Sequence, residues 1–142
     1  CLGKISDFQK SDDGRVLINL TGLTRFEVLE EKENAKLYRE FKVNYEKFLL
    51  DLKPIKEEIN IEPLITKIRV FFKKSGLLLN WKEFDKLDNA QKINTLSMIA
   101  PITNEEKQKL LESVSLQEKM RVLLNIVNFY LHDVNFDNQT VQ

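Results

Sequence analysis

Apolar positions follow a period of two as far as Val43 and a helical period after Pro63. The stretch that organises the first part is Asp12 to Glu30, DDGRVLINLTGLTRFEVLE. Asp13-Gly14 is a pair favoured in two-residue hairpin turns with positive φ, and Val16, Ile18 and Leu20 alternate behind it on one face. Gly22 predicts the next reversal. After it, Thr24, Phe26 and Val28 fall on one face of a second strand, with Arg25 and Glu27 on the other. CLGKISDF ahead of this stretch and KLYREFKV behind it also read as strands. In KLYREFKV, Leu37, Arg39, Phe41 and Val43 alternate with Tyr38, Glu40 and Lys42. Four strands in meander order predict an antiparallel sheet or incomplete small barrel whose open edge must be covered.

Tyr45 to Leu52 predicts a short helical turn, and Pro54 with the charged run Lys56-Glu57-Glu58 marks a linker. The expected division is a β subdomain over residues 1–53 and a helical bundle over 54–142. Asn60 is the candidate cap of the first long helix and Pro63 sits in its first turn. Ile61, Leu64, Ile65, Ile68, Phe71 and Phe72 form its apolar stripe, which ends at Gly76. Four later starts pair a short capping side chain with Glu or Gln three residues on: Asn80 with Glu83, Asp88 with Gln91, Thr103 with Glu106, and Ser115 with Glu118. The Asp88 helix turns Ile93, Leu96 and Ile99 inward and stops at Pro101. The last and longest helix carries Leu116, Met120, Leu123, Val127 and Leu131 on one side, followed by a polar, frayed tail after Asp133.

Length changes this picture little: 142 residues suffice for one domain, or a small β unit plus a helical unit. Charge excludes more. Lys plus Arg and Asp plus Glu both number 22, so the net charge is zero and no overall field draws in nucleic acid or an anionic membrane. A lone cysteine rules out an internal disulfide framework and a Cys-based zinc site, and suits a reducing compartment. The longest apolar run, near Ile68 to Leu79, is cut by Lys73-Lys74 and Gly76, short of the ~20 residues that span a bilayer. These features predict a soluble, cytoplasmic protein. The chain opens at Cys1 inside a strand pattern, which predicts further strands upstream. A lipid-anchored N-terminal cysteine is the rival reading, disfavoured because no flexible polar linker follows it.

Candidate chemistry is sparse. His132 is the only histidine, so a triad or two-His metal motif has no second member, and its expected role is to favour the dipole near a helix end. Gly3, Gly14, Gly22 and Gly76 are too dispersed for a phosphate-cradling loop. Glu57-Glu58 and Glu105-Glu106 read as solvated or first-turn acids rather than an acid-base pair. Phe71-Phe72 before Lys73-Lys74 resembles a basic-aromatic site but fits the last turn of an amphipathic helix as well. Trp81 and Phe84 fit a ligand anchor or, preferably, core packing. No neighbour is identified that would activate Cys1. No catalytic residue, cofactor or metal is expected.

Three stretches carry a resemblance. They are Cys1-Leu2-Gly3-Lys4-Ile5; Asp13-Gly14-Arg15 with Leu20-x-Gly22 and Arg25-Phe26; and Glu106-Lys107-Gln108-x-x-Leu111-Glu112 with Leu116-x-x-Lys119 and Leu123-Leu124. Together they resemble the N-terminal substrate-binding domain of the ATP-dependent Lon protease, and more closely its stand-alone bacterial relatives. Lys4 stands where that family has arginine, as does Lys119 near a usual arginine. The resemblance implies an α+β fold, a PUA-like antiparallel β-barrel portion followed by an α-helical bundle, with the first strands upstream of Cys1. It implies a non-enzymatic module that binds exposed apolar polypeptide segments through the β subdomain and its groove with the helices. Phe8, Phe71, Phe72 and Trp81 are the candidate contacts. RNA binding by a PUA-like barrel and small-ligand binding are the alternatives, and an exposed β edge offers a route to a homodimer.

Overall fold

The computed structural model describes residues 1–53 and 58–137, with side chains described as far as His132. Pro54, Lys56 and Glu57 of the expected linker, and the tail from Asn138 onward, lie outside the described residues. The chain divides into two compact units, Cys1–Pro54 and Ile55–Gln142. It is an α+β protein: antiparallel strands come first and helices follow.

In the first unit β1 (Leu2–Lys10) pairs with β2 (Val16–Thr24), and β3 (Glu27–Lys32) pairs with β4 (Glu40–Asn44). These are two separate two-stranded sheets, and no closed barrel is seen among the described residues. The β1–β2 turn is longer than expected. Ser11 accepts from the Gly14 amide at 2.9 Å and donates its own amide to the Arg15 carbonyl at 2.9 Å. Gly14 has φ 86°, whereas no non-glycine residue among the described residues has positive φ. Asp13 therefore does not share the left-handed conformation that a two-residue Asp-Gly turn requires, and a tight turn followed by a left-handed glycine closes the hairpin instead.

Gly22 does not reverse the chain. It lies inside β2, paired with Gly3 and beside the bulged Leu23, so β2 runs on to Thr24 and the expected pairing of residues 16–20 with 24–28 does not form. Arg25 and Phe26 link β2 to β3 instead. Thr24 ends β2, and Phe26 lies between strands with its ring edge-on to Tyr45 at 6.0 Å. The fourth strand is shorter than KLYREFKV predicts: Leu37 and Tyr38 precede it in an exposed bend.

A 3₁₀ segment, Glu46–Leu52, kinked at Phe48, follows β4 where a helical turn is expected. It anchors the corner after β2. Arg25 donates from Nε and a terminal nitrogen to the two Asp51 carboxylate oxygens at 2.9 and 2.7 Å, and its backbone amide adds a third bond at 2.9 Å. The guanidinium carbon lies 4.5 Å from the centre of the Phe48 ring. Thr24 and Phe48 are the buried residues among those described in this unit.

The second unit comprises α1 (Glu62–Lys74), α2 (Trp81–Phe84), α3 (Asn89–Ile99), α4 (Asn104–Glu112) and α5 (Leu116–Asp137). Its helix starts follow from local chemistry. Asp88 with Gln91 and Thr103 with Glu106 form complete capping boxes, satisfying otherwise orphaned amides from both sides. Asn80 makes the forward bond to the Glu83 amide. At α5 the Glu118 amide donates to Ser115, but the Glu118 carboxylate reaches one residue further back, to the Val114 amide at 2.8 Å. Asn60 accepts from the Glu62 amide, although Ile61 occupies the cap position.

Leu64, Ile68, Phe71 and Phe72 of α1, Ile93 and Leu96 of α3, Leu110 of α4, and Leu123 and Val127 of α5 form one continuous buried cluster with Ile59, Ile61, Phe84 and Ala100. Ile65, Ile99, Leu116, Met120 and Leu131 pack around it, half-buried. Asn89 donates to the Ile59 carbonyl at 2.9 Å, tying the segment ahead of α1 to the start of α3. No helix of the described residues is long and apolar enough to cross a membrane.

Candidate functional site

A strand that alternates strictly would place Ile5 and Phe8 on opposite faces. A bulge brings them together. Ile5 lies opposite Leu20 and Asp7 opposite Asn19, which leaves Ser6 as the extra residue on β1. The Ser6 hydroxyl donates across to the Asn19 carbonyl at 3.2 Å. Beyond the bulge Phe8 faces Ile18. Directly opposed residues share a face, as do residues two apart on a strand, so Ile5, Phe8, Val16, Ile18 and Leu20 form one largely apolar surface, with Lys10 opposite Val16 at its end. These five side chains are 44–66% exposed. The reverse face pairs Lys4 with Thr21, Asp7 with Asn19 and Gln9 with Leu17, and is mainly polar.

The hairpin is thus amphipathic, and among the described residues its apolar side is left exposed. That surface offers dispersion contact and the release of water from apolar groups. It carries no nucleophile or acid-base pair. Two exposed ion pairs lie around β3 and β4. Arg39 holds Glu31 at 2.7 Å, and Lys36 holds Glu40 at 2.5 Å. Bonding to Arg39 lowers the Glu31 pKa below the usual carboxylate value, and bonding to Arg15 does the same for Asp13 in the hairpin turn. No group of three or more His, Cys, Asp or Glu converges on a common point among the described residues.

Of the four aromatic residues picked out by sequence, Phe8 alone lies on this surface. Phe71 and Phe72 are 5% and 1% exposed, so as placed they present almost nothing to a polypeptide. Their rings fill the helical core, Phe71 lying 5.4 Å from Tyr130 and Phe72 6.3 Å from Trp81. Trp81 is half-buried. Phe72 and Phe84 approach its ring, and the Arg69 guanidinium carbon lies 3.9 Å from its centre while Arg69 also reaches Asp85 at 3.7 Å. Phe71 and Phe72 thus belong to the helical core, and Phe8 is exposed in the β unit. Ile5, Val16, Ile18 and Leu20 lie beside Phe8 on the hairpin; the signal for the first of them is the spacing of three between Ile5 and Phe8, which joins one face only through a bulge.

The remaining candidates have structural settings. Lys73 and Lys74 close α1, where cations suit the helix dipole. Glu106 accepts both the Thr103 amide at 2.8 Å and the Tyr130 hydroxyl at 2.9 Å, so it serves as a cap and as a clasp between α4 and α5. Partial burial first, and then Glu106, raise the Tyr130 pKa above its ordinary value. α5 continues past an exposed His132 to Asp137, which places the imidazole more than a turn before the helix end expected for it. Cys1 is exposed and free.

Set beside known proteins, the sequence profile of the ATP-dependent protease La (LON) substrate-binding domain matches residues 1–128. The chain belongs to this family. The match runs through both units of the LON substrate-binding domain, from β1 into α5. A search of curated proteins finds no match to the chain. Substrate binding is the role in the family's own description, and a LON substrate-binding domain is a non-catalytic module.

Proposed function

We propose that this LON substrate-binding domain is a non-enzymatic recognition module for exposed apolar segments of polypeptides, and that the Ile5, Phe8, Val16, Ile18 and Leu20 face of the β1–β2 hairpin is where they dock. The observation that carries this reading is an uncovered apolar face on a chain of a substrate-binding family. Contiguous exposed apolar surface is uncommon on soluble proteins and marks interaction sites. Burying one large apolar side chain against such a face contributes about 1.5–3 kcal/mol before the costs of association. A few of them support affinity on the order of micromolar, which suits a module that must release what it captures.

The test is a titration of the protein into a fluorescently labelled, permanently unfolded polypeptide, followed by anisotropy, with the Phe8→Asp/Ile18→Asp double variant alongside. Wild type should bind, and the double variant at least about tenfold more weakly, a loss of about 1.4 kcal/mol. Because the contact is apolar, added salt should leave the wild-type affinity nearly unchanged, whereas a phosphate-backbone ligand would bind far more weakly at high salt. A folded wild type that binds no unfolded polypeptide, or a double variant that binds equally well, would sink the reading.

A further inference from the structure

We draw no further inference here: the strongest candidate, the uncovered apolar face of the β1–β2 hairpin as a contact between two copies of this chain, is the same surface already proposed for polypeptide recognition, and nothing in the structure shows a second copy covering it.

Discussion

Phe72 and Phe8 are the same side chain in opposite settings. On α1 Phe72 is 1% exposed, enclosed by the helical core; on β1 Phe8 is 66% exposed, beside other apolar residues that are also uncovered. The difference lies in geometry more than in composition. Helices meeting along apolar stripes cover one another, as α1 and α5 do through Phe71 and Tyr130. A two-stranded ribbon has no layer of its own to pack against, and isolated ribbons of that size are marginal in water. Arg25, Asp51 and Phe48 give the β unit a corner, not a core. One unit closes its apolar side chains into a core, and the other leaves many of them exposed.

Truncation should separate the two settings most sharply. Phe72→Ala opens a cavity in a closed core and should cost about 3–5 kcal/mol, whereas Phe8→Ala should stay within about 0.5 kcal/mol of wild type. Urea unfolding followed by fluorescence of Trp81, the only tryptophan, reads the helical unit, and amide hydrogen exchange across β1 and β2 reads the hairpin that carries Phe8. Equal losses from the two substitutions would mean that Phe8 is enclosed in solution and that the contrast between the units is false.

The next effect tests whether the corner holds the β unit together. Arg25 and Asp51 have side chains 14% and 20% exposed, while Arg39 and Glu31 are 72% and 48% exposed. Arg25→Ala leaves a largely buried carboxylate without its fork of donors and should cost about 2 kcal/mol; Arg39→Ala, at an exposed pair screened by solvent, should cost much less. Arg25→Lys should recover only part of the loss, because an ammonium cannot make the paired bonds. Amide hydrogen exchange across β2 and β3 measures this locally. Unchanged protection in Arg25→Ala would show that the ion pair does not hold the corner.

How much of this was legible in the sequence follows from the range over which each feature is specified. Helix starts were readable because a capping box is complete within four residues: Asp88 with Gln91 and Thr103 with Glu106 need no distant partner. The α1 stripe was readable because its period names the buried side. Gly22 misled, since glycine marks both reversals and bulges, and only pairing with Gly3 distinguishes them. The apolar face was half legible. Val16, Ile18 and Leu20 alternate plainly, but Ile5 and Phe8 join them only through the register shift at Ser6. Phe71 and Phe72 carry two readings, core stripe and candidate contact, and only the helices packed over the rings decide between them. Family membership was legible because its motifs fix turns and corners, Gly14 and Arg25 among them, that the fold uses locally.

The smallest effect belongs to the helical unit and concerns pH. Tyr130 has its pKa raised above the ordinary 10.0, by partial burial first and by Glu106 second. A folded-state pKa above the unfolded one gives a contribution that is complete below the unfolded value and lost as pH rises through the folded value. Thermal melts stepped through this alkaline range should therefore show a small decline in wild type that Tyr130→Phe lacks. An identical decline in both proteins would place its origin elsewhere.

Residue-resolved NMR during titration with an unfolded, reduced polypeptide tests the central assignment most directly. Amide shifts should concentrate at Ile5, Phe8, Val16, Ile18 and Leu20, while the core amides of α1 and α5 stay in place. Shifts confined to the helical unit, or none at saturating polypeptide with the protein still folded, would contradict the claim that the open hairpin face is the recognition surface.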